Sequence, residues 1–227
     1  MAKIAICIPM RETIYTTFFD NFLKTLFDTS KNHVIALNLS VRFPLQKARQ
    51  ELMENALKSD PDYILMIDSD MILPDGIVDK LIGMDVDVAS ALYFAKNPPY
   101  MPIIRFKKEN ENYYESRAVS LNERVEVDAA GLGCMLIKAG VVKKLLEKEK
   151  KIFDMTEREV RGQKIPIGED VYFCELLKKH GHKIFVNTGI ICGHIGMDII
   201  TQDQYLFVLN NAIKQMEKEV AKEQRKE

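Results

Sequence analysis

Over residues 3–94 the chain alternates short apolar runs with amphipathic stretches, and this alternation limits the fold more than any other feature of the sequence. Lys3–Pro9 is an apolar run closed by proline, the pattern of a buried strand. Residues 13–29 carry Phe18, Phe19, Phe22, Leu23, Leu26 and Phe27 at helical spacing, and residues 33–39 read as a second strand. Residues 44–58 read as a helix, with Pro44 in the first turn and Leu45, Ala48, Leu52, Met53, Ala56 and Leu57 along one side. After the turn cluster Ser59-Asp60-Pro61-Asp62 comes a third apolar strand, Tyr63–Ile67, then a short helix over 74–82 and a fourth strand over 86–94. Strands alternating with helices predict an α/β fold: a mostly parallel, Rossmann-like sheet with helices on both faces. Such sheets bind ligands beyond the carboxyl ends of their strands, and Asp68 and Asp70 fall at such an end.

The pattern changes after residue 95. Residues 103–106, 113–119 and 124–129 are strand-like runs with no helix between them, which predicts a small antiparallel extension. Gly131-Leu132-Gly133 interrupts it and residues 134–137 resume it. Helices are expected over 139–150 and over 169–180, the second ended by Gly181. Residues 151–168 mix charges with Gly162 and Pro166 and are expected to form a mobile loop. Residues 183–187 read as a strand, Gly193-His194-Ile195-Gly196 as a tight loop, and 202–222 as a long helix with a polar tail.

Several partner classes are excluded by charge and cysteine usage. Lys plus Arg number 32 against 33 Asp plus Glu, a formal charge of −1, so no net field attracts nucleic acid or anionic lipid and phosphate recognition must be local. Cys7, Cys134, Cys174 and Cys192 form no C-x-x-C pair, and three lie in apolar runs; reduced core thiols of a cytoplasmic protein are expected. The first strand is expected to start directly after Met1-Ala2, without a leader, and no segment approaches the roughly 18 uninterrupted apolar residues of a membrane span.

Four groups of residues can carry chemistry. Asp68-Ser69-Asp70 puts two carboxylates at the end of an apolar strand, where both reach one ion; a few oxygen ligands suit Mg²⁺ or Mn²⁺ that takes its other ligands from a diphosphate. The competing reading, a turn that caps the next segment, accounts for one carboxylate but not for two set between Ile64-Leu65-Met66-Ile67 and Met71-Ile72-Leu73. Gly168-Glu169-Asp170 opens a helix, where acidic residues occur for electrostatic reasons alone; the functional alternative is a general base. His194, flanked by Gly193 and Gly196, reads equally as a packed histidine or as a ligand of the same metal. Arg42 and Arg49, with Lys47 nearby, suit bidentate phosphate binding, the alternative being a solvated helix face; Arg11 and Glu12 follow the first strand, where a base or ribose would sit.

Taken in order, these segments resemble the GT-A-fold glycosyltransferases, family 2-like members above all. Residues 63–71, YILMIDSDM, are similar to that family's D-x-D strand, and Lys47-Ala48-Arg49 to the segment before it. Residues 130–137, AGLGCMLI, look like its glycine-containing strand, residues 168–174, GEDVYFC, like its "ED" segment, and His194 falls where many members carry a late metal-binding histidine. The resemblance runs from about residue 3 to 200. It implies a single catalytic domain over 1–227, with a nucleotide-binding half (1–95), an acceptor half (96–200) and a C-terminal helix with its tail (201–227). It further implies transfer of a sugar from a nucleotide-diphosphate sugar, UDP-sugar favoured, to a hydroxyl of a glycan, a lipid-linked sugar or a protein. Pro9, Arg11, Glu12 and Asn38 would lie near the base and ribose, with Arg42, Arg49, Ser69, Gly131 and Gly133 also on the donor. Asp68 would face ribose and metal, Asp70 and His194 would bind Mn²⁺ or Mg²⁺, and Asp170, with Glu169 beside it, would be the base of an inverting displacement. The chain departs from the family at Ile8-Pro9-Met10-Arg11-Glu12, and Asn38 and Ser40 stand where an Asp is common.

Other classes share parts of the pattern. Phosphatases of the haloacid dehalogenase type also end an apolar strand in D-x-D, but in the first strand and with a nucleophilic first Asp; phosphoryl trapping on Asp68 would favour them. Nucleotidyltransferases need a glycine-rich loop after the first strand, and residues 8–13 contain no glycine. A non-catalytic nucleotide-sugar-binding protein would keep its properties in an Asp170→Asn variant. Leu206, Leu209, Ile213, Met216 and Val220 follow 3-4 spacing, so packing on the body or homodimerisation through the last helix is open; sedimentation as a monomer alone removes the latter.

Overall fold

The structure is a computed structural model that describes residues 1–41, 44–108, 113–196 and 199–223, with side chains through 217. The first half follows the predicted alternation: β1 (Lys3–Pro9), α1 (Thr16–Ser30), β2 (Val34–Ser40), α2 (Leu45–Leu57), β3 (Tyr63–Ile67), β4 (Met71–Ile72), α3 (Ile77–Ile82) and β5 (Val88–Leu92). The strands β6 (Ile104–Lys107), β7 (Tyr114–Glu115), β8 (Arg124–Val127), β9 (Ala129–Ala130) and β10 (Cys134–Lys138) come next. The chain then continues through α4 (Ala139–Lys148), β11 (Thr156–Val160), β12 (Gln163–Ile167), α5 (Glu169–Lys179), β13 (Ile184–Ile191), β14 (Gly193–Ile195), β15 (Ile199–Ile200) and α6 (Gln202–Glu223).

Seven strands form the central sheet in the order β2-β1-β3-β10-β5-β13-β8. β1 is parallel to β2 and β3, and β13 is parallel to β5. β10 is antiparallel to both β3 and β5, and β8 is antiparallel to β13. Five strands therefore point one way and β10 and β8 the other, a mostly parallel α/β sheet of the GT-A type. Alternate residues feed opposite faces, as the two-residue strand period requires. Ile4, Ile6, Ile8, Leu65 and Ile67 pack with Phe18 and Phe22 of α1 and Ile77, Val78 and Leu81 of α3. Ala5, Cys7, Ile64 and Met66 pack with Leu52 and Met53 of α2, Val142 and Leu145 of α4, and Phe173 and Leu177 of α5. Helices thus cover both faces, and runs such as Tyr63–Ile67 are apolar at nearly every position because both of their sides are buried. All four cysteines are buried free thiols, and burial pushes Cys7 and Cys174 up to about 12.

Two segments differ from the sequence expectation. Residues 151–168, expected as a mobile loop, contain the antiparallel hairpin β11–β12, with Thr156 opposite Ile167 and Val160 opposite Gln163. The two residues between the strands, Arg161 and Gly162, have φ of 53° and 77°, the left-handed pair that a tight hairpin turn requires. The expected tight loop at 193–196 is strand β14 over three of its residues, paired with β4 on one side and β15 on the other. The small antiparallel extension is present as β7-β6-β9. Within α6, Tyr205 stacks on Phe94 with ring centroids 4.9 Å apart, and Leu206 and Leu209 pack on the same core, whereas Ile213 and Met216 are exposed. No described helix is long and apolar enough to cross a membrane.

Candidate functional site

The site is built where β3 runs out of the sheet. Ile67 is the last buried strand residue, and the chain turns at once: Asp68 N–H donates to Gly133 O (3.1 Å) and Met71 N–H donates back to Asp68 O (3.2 Å). The exit is clamped by Asn21 of α1, whose amide nitrogen donates to Leu73 O (3.0 Å) while its oxygen accepts from Leu73 N–H (2.7 Å). Met71 and Ile72 then pair with His194 and Gly193, and Ile195 N–H donates to Asp70 O (2.8 Å). Backbone pairing of β4 with β14 is thus what carries His194 to the aspartates.

At Asp70 the two carboxylate oxygens differ. Oδ2 accepts from Lys96 Nζ at 2.5 Å. Oδ1 is buried and accepts no hydrogen bond from any described residue, with His194 Nε2 3.7 Å away. His194 Nδ1 lies 2.7 Å from the carbonyl oxygen of Phe94. A carbonyl can only accept, so Nδ1 carries the proton, and in the neutral ring Nε2 presents a lone pair on the side of Asp70. A histidine oriented by a backbone carbonyl beside an unsatisfied carboxylate oxygen is the donor set of a divalent cation that keeps water and takes oxygens from a ligand. These residues fit such an ion. Among the described residues no group of three or more His, Cys, Asp and Glu stands ready to enclose a metal, so further ligands would come from solvent or substrate.

Arg49 was expected to face a diphosphate. Instead its side chain is only 3% exposed and spans two carboxylates: Nη2 donates to Asp68 Oδ1 at 2.7 Å and Nη1 to Glu169 Oε1 at 3.0 Å. A guanidinium buried on the inner side of α2 needs partners at both ends of its fork, and the strand exit and the first residue of α5 supply them. Burial acts to lower its pKa, but Asp68 and Glu169 outweigh that and raise it. Glu169 is held above the usual carboxylate range, first by burial, with Asp170 and Asp68 adding and Arg49 opposing. Asp170 is next in the chain. Its Oδ1 accepts from Val171 N–H at 2.7 Å, and the residue lines a cleft of about 260 Å³ with Ile103, Tyr113, Tyr114, Gly131 and Ile167.

A second cleft, of about 210 Å³, is lined by Arg11, Thr13, Ile14, Tyr15, Ser69, Asp70 and Lys96. Arg11 and Ser69 thus share a cleft with Asp70. Pro9 is buried at the end of β1 opposite Ser40, and Glu12 is exposed. Asn38, partly buried, donates its side-chain amide to Ala36 O at 3.3 Å. Arg42 lies outside the described residues. Gly131 and Gly133 sit against the Tyr93 ring, where a Cβ on Gly133 would be 2.8 Å from Tyr93 Cζ, and Gly133 N–H donates to Tyr93 Oη at 3.1 Å. Their lack of a side chain makes room for that tyrosine. Sequence reasoning missed Lys96 and Tyr93. Lys96 opens a Pro-rich loop and carries no local signal of a distant partner; Tyr93 had a signal, a large ring following Val88–Leu92 with a Gly-x-Gly break later in the chain to receive it.

No family model matches the chain, and no curated protein matches it in sequence. Among solved structures, A197 from STIV is similar with a TM-score of 0.60 at 18% identity, over 90% of this chain and 92% of that one. A mutant Drosophila beta-1,4-galactosyltransferase 7 in complex with manganese, UDP-Gal and xylobiose aligns with a TM-score of 0.45 at 15% identity, over 86% of this chain and 71% of that one. The likeness to A197 is a likeness of fold.

Proposed function

We propose that this chain is a metal-dependent glycosyltransferase that moves a sugar from a nucleotide-diphosphate sugar, with a UDP-sugar favoured, to a hydroxyl acceptor by inverting displacement. The observation that carries the reading is the buried, unsatisfied Asp70 Oδ1 set 3.7 Å from His194 Nε2, beside a cleft that also holds Arg11 and Lys96. Asp70 and His194 would hold Mn²⁺ or Mg²⁺, and Asp68 the ribose side. A divalent ion bound there supplies positive charge to the departing diphosphate. Asp170 accepts the proton of the acceptor hydroxyl as its oxygen attacks the anomeric carbon and the sugar–phosphate bond breaks. The cleft lined by Tyr113, Tyr114 and Ile167 receives the acceptor, and it shares no lining residue with the donor cleft. Glu169, tied to Arg49, positions the start of α5 and leaves the proton transfer to Asp170. A D-x-D phosphatase would need a free nucleophile at Asp68, whereas that carboxylate is engaged by Arg49 at 2.7 Å.

Calorimetry with UDP and Mn²⁺ tests this. Asp70→Ala should weaken Mn²⁺-dependent UDP binding by more than about 100-fold while the protein keeps a cooperative melt. Asp170→Asn should retain binding and lose about 10²–10⁴-fold in transfer rate. Undiminished binding in the first variant removes the metal site, and undiminished transfer in the second removes the base.

A further inference from the structure

We infer that Lys96 is a tethered counter-cation, holding Asp70 when no donor is bound and passing to the donor's diphosphate when a divalent ion takes Asp70. The inference rests on the metal and diphosphate reading above and adds a residue to it. Lys96 reaches Asp70 Oδ2 at 2.5 Å, so in the ligand-free protein one oxygen of the metal-binding carboxylate is already engaged by a positive charge. The lysine is one-third exposed, and its flexible four-carbon stem projects from the loop after β5 into the cleft it shares with Arg11, Thr13, Tyr15 and Ser69. That cleft is lined by two cations and one carboxylate.

The charge balance drives the exchange. An ammonium on Oδ2 and a divalent ion on Oδ1 of one carboxylate repel each other, so holding both at once is disfavoured and the ion binds more readily when the lysine moves away. If the lysine leaves for bare solvent, the ion gains Asp70 only against the lost pair. If a diphosphate lies in the same cleft, the ammonium exchanges one anion for another, and the cleft holds two cations with no free carboxylate. Metal and diphosphate then each favour the other, and the coupling is reciprocal. Lys96 thus disfavours metal uptake without a donor and adds a second positive charge to the leaving group once the donor is in.

The test is calorimetric titration of Mn²⁺ into the metal-free wild type, Lys96→Met and Lys96→Arg, with and without saturating UDP, with thermal melts as the control for folding. The Met variant should bind Mn²⁺ alone about three- to tenfold more tightly than wild type, because a partly exposed competitor is gone. Its UDP–Mn²⁺ coupling should shrink by about tenfold, and the Arg variant should retain most of that coupling. Met and wild-type proteins with equal Mn²⁺ affinity and equal coupling overturn the role of Lys96 and leave the proposed function intact. A wild type that binds no Mn²⁺ with or without UDP overturns both.

Discussion

Arg49 owes its place to two carboxylates that arrive from different parts of the chain, Asp68 at 19 residues' separation and Glu169 at 120. It is the residue through which the end of β3 and the start of α5 share one charge. Removing it leaves two partly buried carboxylates beside each other, so Arg49→Met should destabilise the fold by about 2–4 kcal/mol. In a chain of this size that lowers the melting temperature by about 5–10 °C, readable by calorimetry. Lysine in its place should not restore the loss, because one ammonium cannot fork to both oxygens. Glu169 gives a pH signature of known sign. Its pKa is raised in the fold by burial, so its contribution to stability is complete below the ordinary glutamate pKa and is lost as pH rises through the folded value. The stability of wild type relative to Glu169→Gln should therefore increase as pH falls from neutral toward that ordinary value. A pH-independent difference between the two melts refutes the shift.

At the scale of elements, the site depends on a two-residue strand. β4 does little for the core by its length, yet its pairing with β14 is what sets His194 against Asp70. Gly193 is opposite Ile72 in that pair, and a Cβ there would lie 3.0 Å from Ile199 Cγ2 and 3.1 Å from Ile72 Cβ. Gly193→Val should force β14 away from β4 and β15, at a cost of about 1–3 kcal/mol in packing. Mn²⁺-dependent UDP binding should weaken several-fold although no ligand is altered, and calorimetric titration against wild type checks it. The same elements mark what the sequence made legible. Asp68 and Asp70 stood out because a short apolar run is coded locally and its polar end is abrupt. His194 stood out by its flanking glycines, but its strand did not, because three residues carry no period. The β11–β12 hairpin was missed because charges occupy both of its faces over 156–160, which hides the alternation, although Arg161-Gly162 carried the turn. Arg49 read as a diphosphate ligand or a solvated helix face because nothing within a few residues of it announces distant acidic partners.

For the molecule as a whole, residues 3–94 predicted most of the sheet's left half and its two helical faces, while the position of β10 was beyond reach. Local pattern identified residues 134–137 as a strand but not that it enters between β3 and β5, since strand order is a matter of long-range packing. That insertion brings Gly133 O to Asp68 N–H, so the polar turn that opens the site closes on a segment from the second half of the chain. It also bears on how the protein emerges from a ribosome. β5 has β10 and β13 as its neighbours, and both are synthesised after it. Until residue 134 is available, β3 and β5 lack the strand that joins them in the sheet, which begins some 40 residues after β5 ends. The first half of the chain therefore waits on the second, and nascent-chain protection by a holdase has its greatest value in that interval.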